Sequence, residues 1–263
     1  MKFGIIGFGK MGSSVLAGML KQDIINKNDV IIYDTYAPTC DNLKNQGYLV
    51  AENIQQLFNV SNCVLFSVKP QELQNVFKEV EFLNEIKILT IMAGVKISTF
   101  ANKFPKAKVC RVMPNTCAMI GKSASSVCFD ANCSLEDKEV FTKIVSSFGS
   151  VSIIDESLMD EVIPLAGSFT AYAYYYIKSF VDSAVKRGVD EEVAKNLVVE
   201  SMIGSAEMVK QSGKDLQTLI NDVCSKGGTT LAGLKVLEDN KVNEIIHNCS
   251  VACAERSKEL GKN

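Results

Sequence analysis

The run Gly7-Phe8-Gly9-Lys10-Met11-Gly12 constrains this chain more than any other stretch. It follows the apolar, strand-like Phe3-Gly4-Ile5-Ile6 and opens a segment that places Val15, Leu16, Met19 and Leu20 on one helical face. Glycines at this spacing between a strand and a helix each have a task. The first permits the tight turn, the second lets a pyrophosphate approach the backbone, and the third lets the helix pack closely on the strand. Asp34 closes the next strand-like run about twenty positions later, where a carboxylate hydrogen-bonds the adenosine ribose. The expected start of the fold is therefore a dinucleotide-binding unit, with Gly7, Phe8, Gly9, Lys10, Met11 and Gly12 around the pyrophosphate and Asp34 on the ribose. Taken alone, Asp34 favours NADH. It repels a 2′-phosphate, and Thr35-Tyr36-Ala37-Pro38-Thr39 contains no Arg or Lys to hold one. The competing reading of Asp34 is a loop cap.

Up to residue 155 the chain alternates short β-branched runs with helical patterns, which predicts a doubly wound, mostly parallel sheet. Strands are expected at 2–7, 29–34, 62–68, 86–92, 108–112, 124–130 and 151–154. Near-continuous apolar runs such as Cys63-Val64-Leu65-Phe66-Ser67-Val68 suit strands covered on both faces. Segments at the carboxyl edge of such a sheet face the ligand crevice. That puts Val68, Lys69 and Pro70 beside the cofactor, and makes Ala93 and Gly94 small residues that leave room for the nicotinamide ribose. After Asp155 the pattern turns helical, over 157–187, 190–212, 215–222 and 229–260. The expected architecture is α/β: a Rossmann-type domain over 1–155, then an all-α substrate and dimerisation domain over 156–263. Ala171-Tyr172-Ala173-Tyr174-Tyr175-Tyr176-Ile177 is apolar on nearly every face, as in a helix that is either central or covered by a partner subunit.

Charge and cysteine content exclude other classes. The formal net charge of −2 offers no attraction for nucleic acid or an anionic membrane surface. No apolar run approaches the roughly 20 residues that cross a bilayer, and the expected location is cytoplasmic. Nine cysteines occur without a Cys-x-x-Cys pair, and His247 is the single histidine, so no metal site is expected. Most of the cysteines read as small apolar core residues in a reducing compartment.

A second constellation lies far from the glycine loop, in Asp222-Val223-Cys224-Ser225-Lys226-Gly227-Gly228-Thr229-Thr230. Paired glycines allow a sharp turn and close approach of a ligand, and two hydroxyls follow where a helix begins. Backbone N–H groups at a helix start, beside hydroxyls, make a seat for a carboxylate. Ser225, Gly227, Gly228, Thr229 and Thr230 are the candidate substrate-binding residues. A dinucleotide plus a carboxylate seat suggests reduction of a small acid.

Taken in order, several motifs resemble the pyrroline-5-carboxylate reductase family along essentially the whole chain. They are the glycine loop, Val68-Lys69-Pro70-Gln71, Arg111-Val112-Met113-Pro114-Asn115-Thr116, Leu165-Ala166-Gly167-Ser168 with Ala171-Tyr172, Ser225–Thr230, and Glu255-Arg256-Ser257-Lys258-Glu259-Leu260. The resemblance implies hydride transfer from NADH or NADPH to the C=N carbon of a cyclic imine carboxylate, giving proline. It implies that Ser225 and neighbouring N–H groups hold the carboxylate, and that Thr230 is the catalytic hydroxyl on the ring nitrogen. It places Asn115 near the nicotinamide, and Asn53 and Asp222 at other ligand-facing positions. Glu156 falls loosely at an acidic, substrate-side position. It also implies a homodimer or a ring of dimers.

Three turn prolines of the family are replaced here. Gly-Ser-Gly-Pro-Ala-Tyr is Gly167-Ser168-Phe169-Thr170-Ala171-Tyr172, Ser-Pro-Gly-Gly is Ser225-Lys226-Gly227-Gly228, and Cys117 stands where a proline usually follows Met-Pro-Asn-Thr. These changes bear on substrate choice more than on fold. The alternatives are a reductase of a related cyclic imine acid, such as a six-membered ring, or a catalytically weakened NAD(P)-binding regulatory homologue. A β-hydroxyacid dehydrogenase needs a Gly-x-x-x-Asn-x-x-Lys pattern, and Lys178 does not stand at that spacing from Gly167.

Overall fold

The computed structural model describes residues 1–81 and 85–261. Two compact units emerge, one formed by Met1–Thr170 with Ala252–Asn263 and the other by Ala171–Val251. The first unit carries one eight-stranded sheet. Its elements are β1 (Phe3–Ile6), α1 (Lys10–Lys21), β2 (Val30–Tyr33), α2 (Ala37–Asn45), β3 (Leu49–Val50), α3 (Ile54–Val60), β4 (Cys63–Phe66), α4 (Leu73–Lys78), β5 (Lys87–Thr90), α5 (Ile97–Lys103), β6 (Lys108–Met113), β7 (Ser123–Phe129), α6 (Leu135–Ser146) and β8 (Gly149–Ile153). The strand order is β3-β2-β1-β4-β5-β6-β7-β8.

Every neighbouring pair is parallel except β6 and β7. That reversal has a local cause. The link from Pro114 to Lys122 is a 3-10 turn ending on Gly121 at φ 72°, too short for the crossover of a dozen or more residues that a parallel pair needs. All seven expected strands are present. The two-residue β3 carried no readable alternation in the sequence.

The sheet is buried on both faces, and strand side chains sort by alternation. Ile6, Val64, Phe66, Ile88 and Val109 point to one face, where Phe58, Phe77, Phe100 and Phe104 pack on them. Phe66 and Phe100 meet edge-on with ring centroids 4.9 Å apart. Phe3, Ile5, Leu65, Leu89 and Val112 point to the other face, against Leu16 and Met19 of α1 and Phe141 of α6. Cys63 and Cys110 lie on this second face, and burial pushes the Cys63 thiol up to about 12. All nine cysteines are free thiols, but only Cys63, Cys110, Cys128 and Cys133 are buried, so the core role expected for most of them holds for four.

The second unit is helical, with α7 (Phe169–Val185), α8 (Glu191–Gln211), α9 (Leu216–Val223), α10 (Thr229–Asp239) and the start of α11 (Val242–Leu260), whose last turns belong to the first unit. Two expected helices are corrected. The helix expected from 157 begins only at Phe169, because Pro164 and Gly167 interrupt the preceding stretch, which forms turns instead. The helix expected over 229–260 is two, divided at Asn240-Lys241, where Lys241 adopts φ 53°.

Candidate active site

The crevice lies where the chain reverses direction across the sheet, between β1 and β4, a switch point where ligands bind in open α/β sheets. The three motif glycines there have three different surroundings. Gly7 sits at φ 86°, and a Cβ on it would stand 2.7 Å from the Ser67 carbonyl oxygen. A Cβ on Gly12 would stand 2.5 Å from the Gly7 carbonyl oxygen, so any side chain would push α1 off the sheet. Around Gly9 there is open space. Gly9 is the N-cap of α1 and offers no side-chain cap, which leaves the first N–H groups of the helix available to an anion.

A cleft of about 400 Å³ opens at this point, lined by Gly7, Gly9, Asp34, Val68 and Lys69 among the expected cofactor residues. Phe8 lines a neighbouring depression with Ser13, Tyr36 and Pro38. Asp34 has a double attachment: its Oδ2 accepts the Phe8 N–H at 2.6 Å and its Oδ1 accepts the Tyr36 N–H at 2.8 Å. Both readings of Asp34 are therefore compatible. It clamps the glycine loop to the end of β2, and each oxygen keeps a second lone pair for a ribose hydroxyl. Met11 and Gly12 lie in the first turn of α1 with Lys10, which is exposed.

Other expected residues do not line this cleft. Asn53 is the N-cap of α3, its Oδ1 accepting the Gln56 N–H. Pro70 starts a 3-10 turn after Lys69. Gly94 has a different reason to be small: at φ 75°, its missing Cβ would stand 2.7 Å from the Ser257 carbonyl oxygen and 2.8 Å from the Gly261 nitrogen. The close approach is to the end of α11. Ala93 packs partly buried beside the aromatic face of the core.

Asn115 is buried and fully engaged. Its Nδ2 donates to the Ala166 carbonyl at 3.0 Å, its Oδ1 accepts the Cys117 N–H at 3.0 Å, and its backbone N–H donates to Ser123 Oγ. Cys117 supplies an N–H that a proline would lack. Glu156 is likewise turned inward, its Oε1 accepting the Ile97 N–H at 2.7 Å and pairing with the buried Arg111 at 3.3 Å. Arg111 also pairs with Asp160 at 3.2 Å, and Asp160 accepts the Ser257 hydroxyl at 2.7 Å.

The second unit holds the candidate substrate turn. The Gly228 N–H donates to the Ser225 carbonyl at 2.9 Å, and Gly227 adopts φ 71°. An i to i+3 bond with a left-handed glycine in third place is the mark of a type II turn, whose second position favours proline. Lys226 holds that second position. Gly228 is the N-cap of α10 and provides no side-chain cap, so the N–H groups of Thr229 and Thr230 begin the helix uncapped. A Cβ on Gly228 would stand 2.3 Å from Ser225 Oγ, which keeps the serine hydroxyl against this helix start. Asp222 is ion-paired with Lys214 at 2.7 Å on the surface.

Sequence reasoning missed Ser67, Glu72, Asn75, Val76 and Glu79, which line the cleft with Lys69. A signal was present, since 72, 75, 76 and 79 follow the i, i+3, i+4, i+7 spacing of one helix face.

The family model described as pyrroline-5-carboxylate reductase dimerisation matches residues 156–260, and the one described as NADP oxidoreductase coenzyme F420-dependent matches residues 2–94. A pyrroline-5-carboxylate reductase of Methanosarcina acetivorans is 33% identical over 99% of this chain and 98% of its own length. One from Arabidopsis thaliana is 32% identical over 99% of this chain and 96% of its own. Among solved structures, the Plasmodium falciparum pyrroline carboxylate reductase with NADP bound superposes with a TM-score of 0.90 at 30% identity, covering 99% of this chain and 98% of that one.

Proposed function

The chain belongs to the pyrroline-5-carboxylate reductase family, and on that premise we propose that it reduces 1-pyrroline-5-carboxylate to L-proline with NADH or NADPH. The observation that carries this is the full-length similarity, which takes in both the glycine loop and the Ser225–Thr230 turn. The bound cofactor supplies a hydride for the imine carbon, and the ring nitrogen keeps or takes up a proton. The protein's own part is to bind and orient. Gly9 and the start of α1 receive the pyrophosphate, while Asp34 receives the ribose. Ser225, Gly227, Gly228 and Thr229 seat the carboxylate at the start of α10, and Thr230 hydrogen-bonds the ring nitrogen. Asn115 acts by holding its loop in place.

The functional boundary is proposed at 155–156, where β8 has ended and the dimerisation match begins. The helical unit is proposed to pair with a second copy. Within it α7 buries only Val181, α8 only Ala194, and Tyr174, Tyr175 and Phe180 are exposed. A cytoplasmic location is proposed from the nine free thiols. Among the described residues, no helix is long and apolar enough to cross a membrane.

Purified protein given NADH and 1-pyrroline-5-carboxylate is expected to form proline, and more efficiently than it reduces the six-membered homologue. Equal or better turnover of the larger ring would move the assignment to that imine, the alternative left open by the sequence departures at Lys226 and Phe169.

A further inference from the structure

The wall of the dinucleotide cleft is acidic. Among the described residues three carboxylates line it, Asp34, Glu72 and Glu79, against the single amine of Lys69. Asp34 is held rigidly by the N–H groups of Phe8 and Tyr36. Glu72 accepts from Asn75 Nδ2 at 3.1 Å. Glu79 stands exposed just past the end of α4. Tyr33 also lines the cleft. Its phenol is held above its ordinary range by burial first and then by the charges of Glu79, Cys40 and Asp34, so both carboxylates act electrostatically on one point of the wall.

We propose that Asp34 and Glu79 form a two-carboxylate filter that selects NADH over NADPH. A 2′-phosphate brings about −1.5 to −2 charges at neutral pH. Placed on the ribose that Asp34 receives, it meets negative charge with no arginine lining the cleft to answer it. Among the described residues Lys69 is the one cation lining the cleft, a point charge without the two-pronged grip that arginine has on phosphate. A relative solved with NADP bound shows that the fold admits the phosphate. Selection would then reside in this chain's own side chains. The filter rests on the reductase reading only for the presence of a nicotinamide dinucleotide.

Binding of each cofactor to the intact protein, followed by fluorescence without substrate, tests the filter separately from the reaction. NADH is expected to bind at least about tenfold more tightly than NADPH, or about 1.4 kcal/mol. Glu79→Gln should narrow that ratio about threefold, and Asp34→Ser should narrow it further. Because Asp34 also clamps the glycine loop, Glu79→Gln is the decisive variant. Raising ionic strength from about 0.01 M to 0.15 M shortens the screening length from about 30 Å to 8 Å and should narrow the wild-type ratio too, which a purely structural role would not do. Equal or tighter binding of NADPH by the wild type overturns the proposal, as does an unchanged ratio in Glu79→Gln. Selective NADH binding without proline formation would leave the filter standing and remove the reductase assignment instead.

Discussion

Thr230 and Asn115 belong to motifs of equal prominence, yet their side chains are differently placed. Every polar atom of the Asn115 side chain is committed within the protein, to Ala166 and Cys117. Thr230 is only half-buried, in the first turn of α10, and its hydroxyl has no hydrogen-bond partner among the described residues. A hydroxyl so placed can take a ligand without breaking anything. Thr230→Ala is expected to lower kcat about tenfold to a hundredfold, the range of a hydrogen bond to a charged group. Thr230→Ser should recover most of it. Unchanged turnover in the alanine variant would remove Thr230 from the reaction. The glycine loop was legible because Gly7 and Gly12 leave no room for a side chain, while the open space at Gly9 is where a pyrophosphate approaches in such folds. The inward turn of Asn115 and Glu156 was not, because a polar residue in a motif reads the same whether it faces a ligand or Arg111.

At the scale of elements, strands announced themselves by apolar runs and helices by capping. The reading failed where a breaker was passed over, as at Pro164 and Gly167, and where both signals were weak. Asn240-Lys241 breaks a helix without glycine or proline, and β3 is too short for a pattern. A strong local signal was available at α6, where Ser134 and Asp137 form a reciprocal capping box. Lys87 from β5 reaches the same carboxylate at 2.8 Å. Burial pushes the Asp137 carboxyl upward, but Lys87 and the Ser134 donors outweigh it and hold it below its ordinary range. The Lys87 ammonium is raised by the same bond. A lowered acid stabilises the fold above its unfolded value, near 3.9, and that contribution is lost as pH falls through the folded value. A raised lysine contributes fully below about 10.4 and loses that contribution as pH climbs through its folded value. Asp137→Asn should therefore cost about 1–2 kcal/mol at pH 7, with the difference from wild type shrinking below about pH 4. Urea midpoints at pH 7 and pH 3 measure this, and an equal penalty at both would contradict it.

At the scale of the whole molecule, the order of motifs carried more than any one of them, because each constrains a different stretch of the same chain. The tyrosine-rich run 171–177 left two readings open, central or partner-covered. Tyr175 is 71% exposed and Phe180 60%, which favours a partner. Replacing both by glutamate should shift the protein from dimer to monomer in sedimentation, since a charge buried without a partner is costly. An unchanged dimer would place the interface elsewhere. The claim on which the rest depends is hydride transfer to a five-membered imine. Its most direct test supplies 1-pyrroline-5-carboxylate with a cofactor deuterated at both hydrogens of the transferring carbon, followed by mass analysis of the product. Proline carrying one deuterium at the former imine carbon is the expected result. Unlabelled proline, or none formed by protein that binds the cofactor, would contradict it.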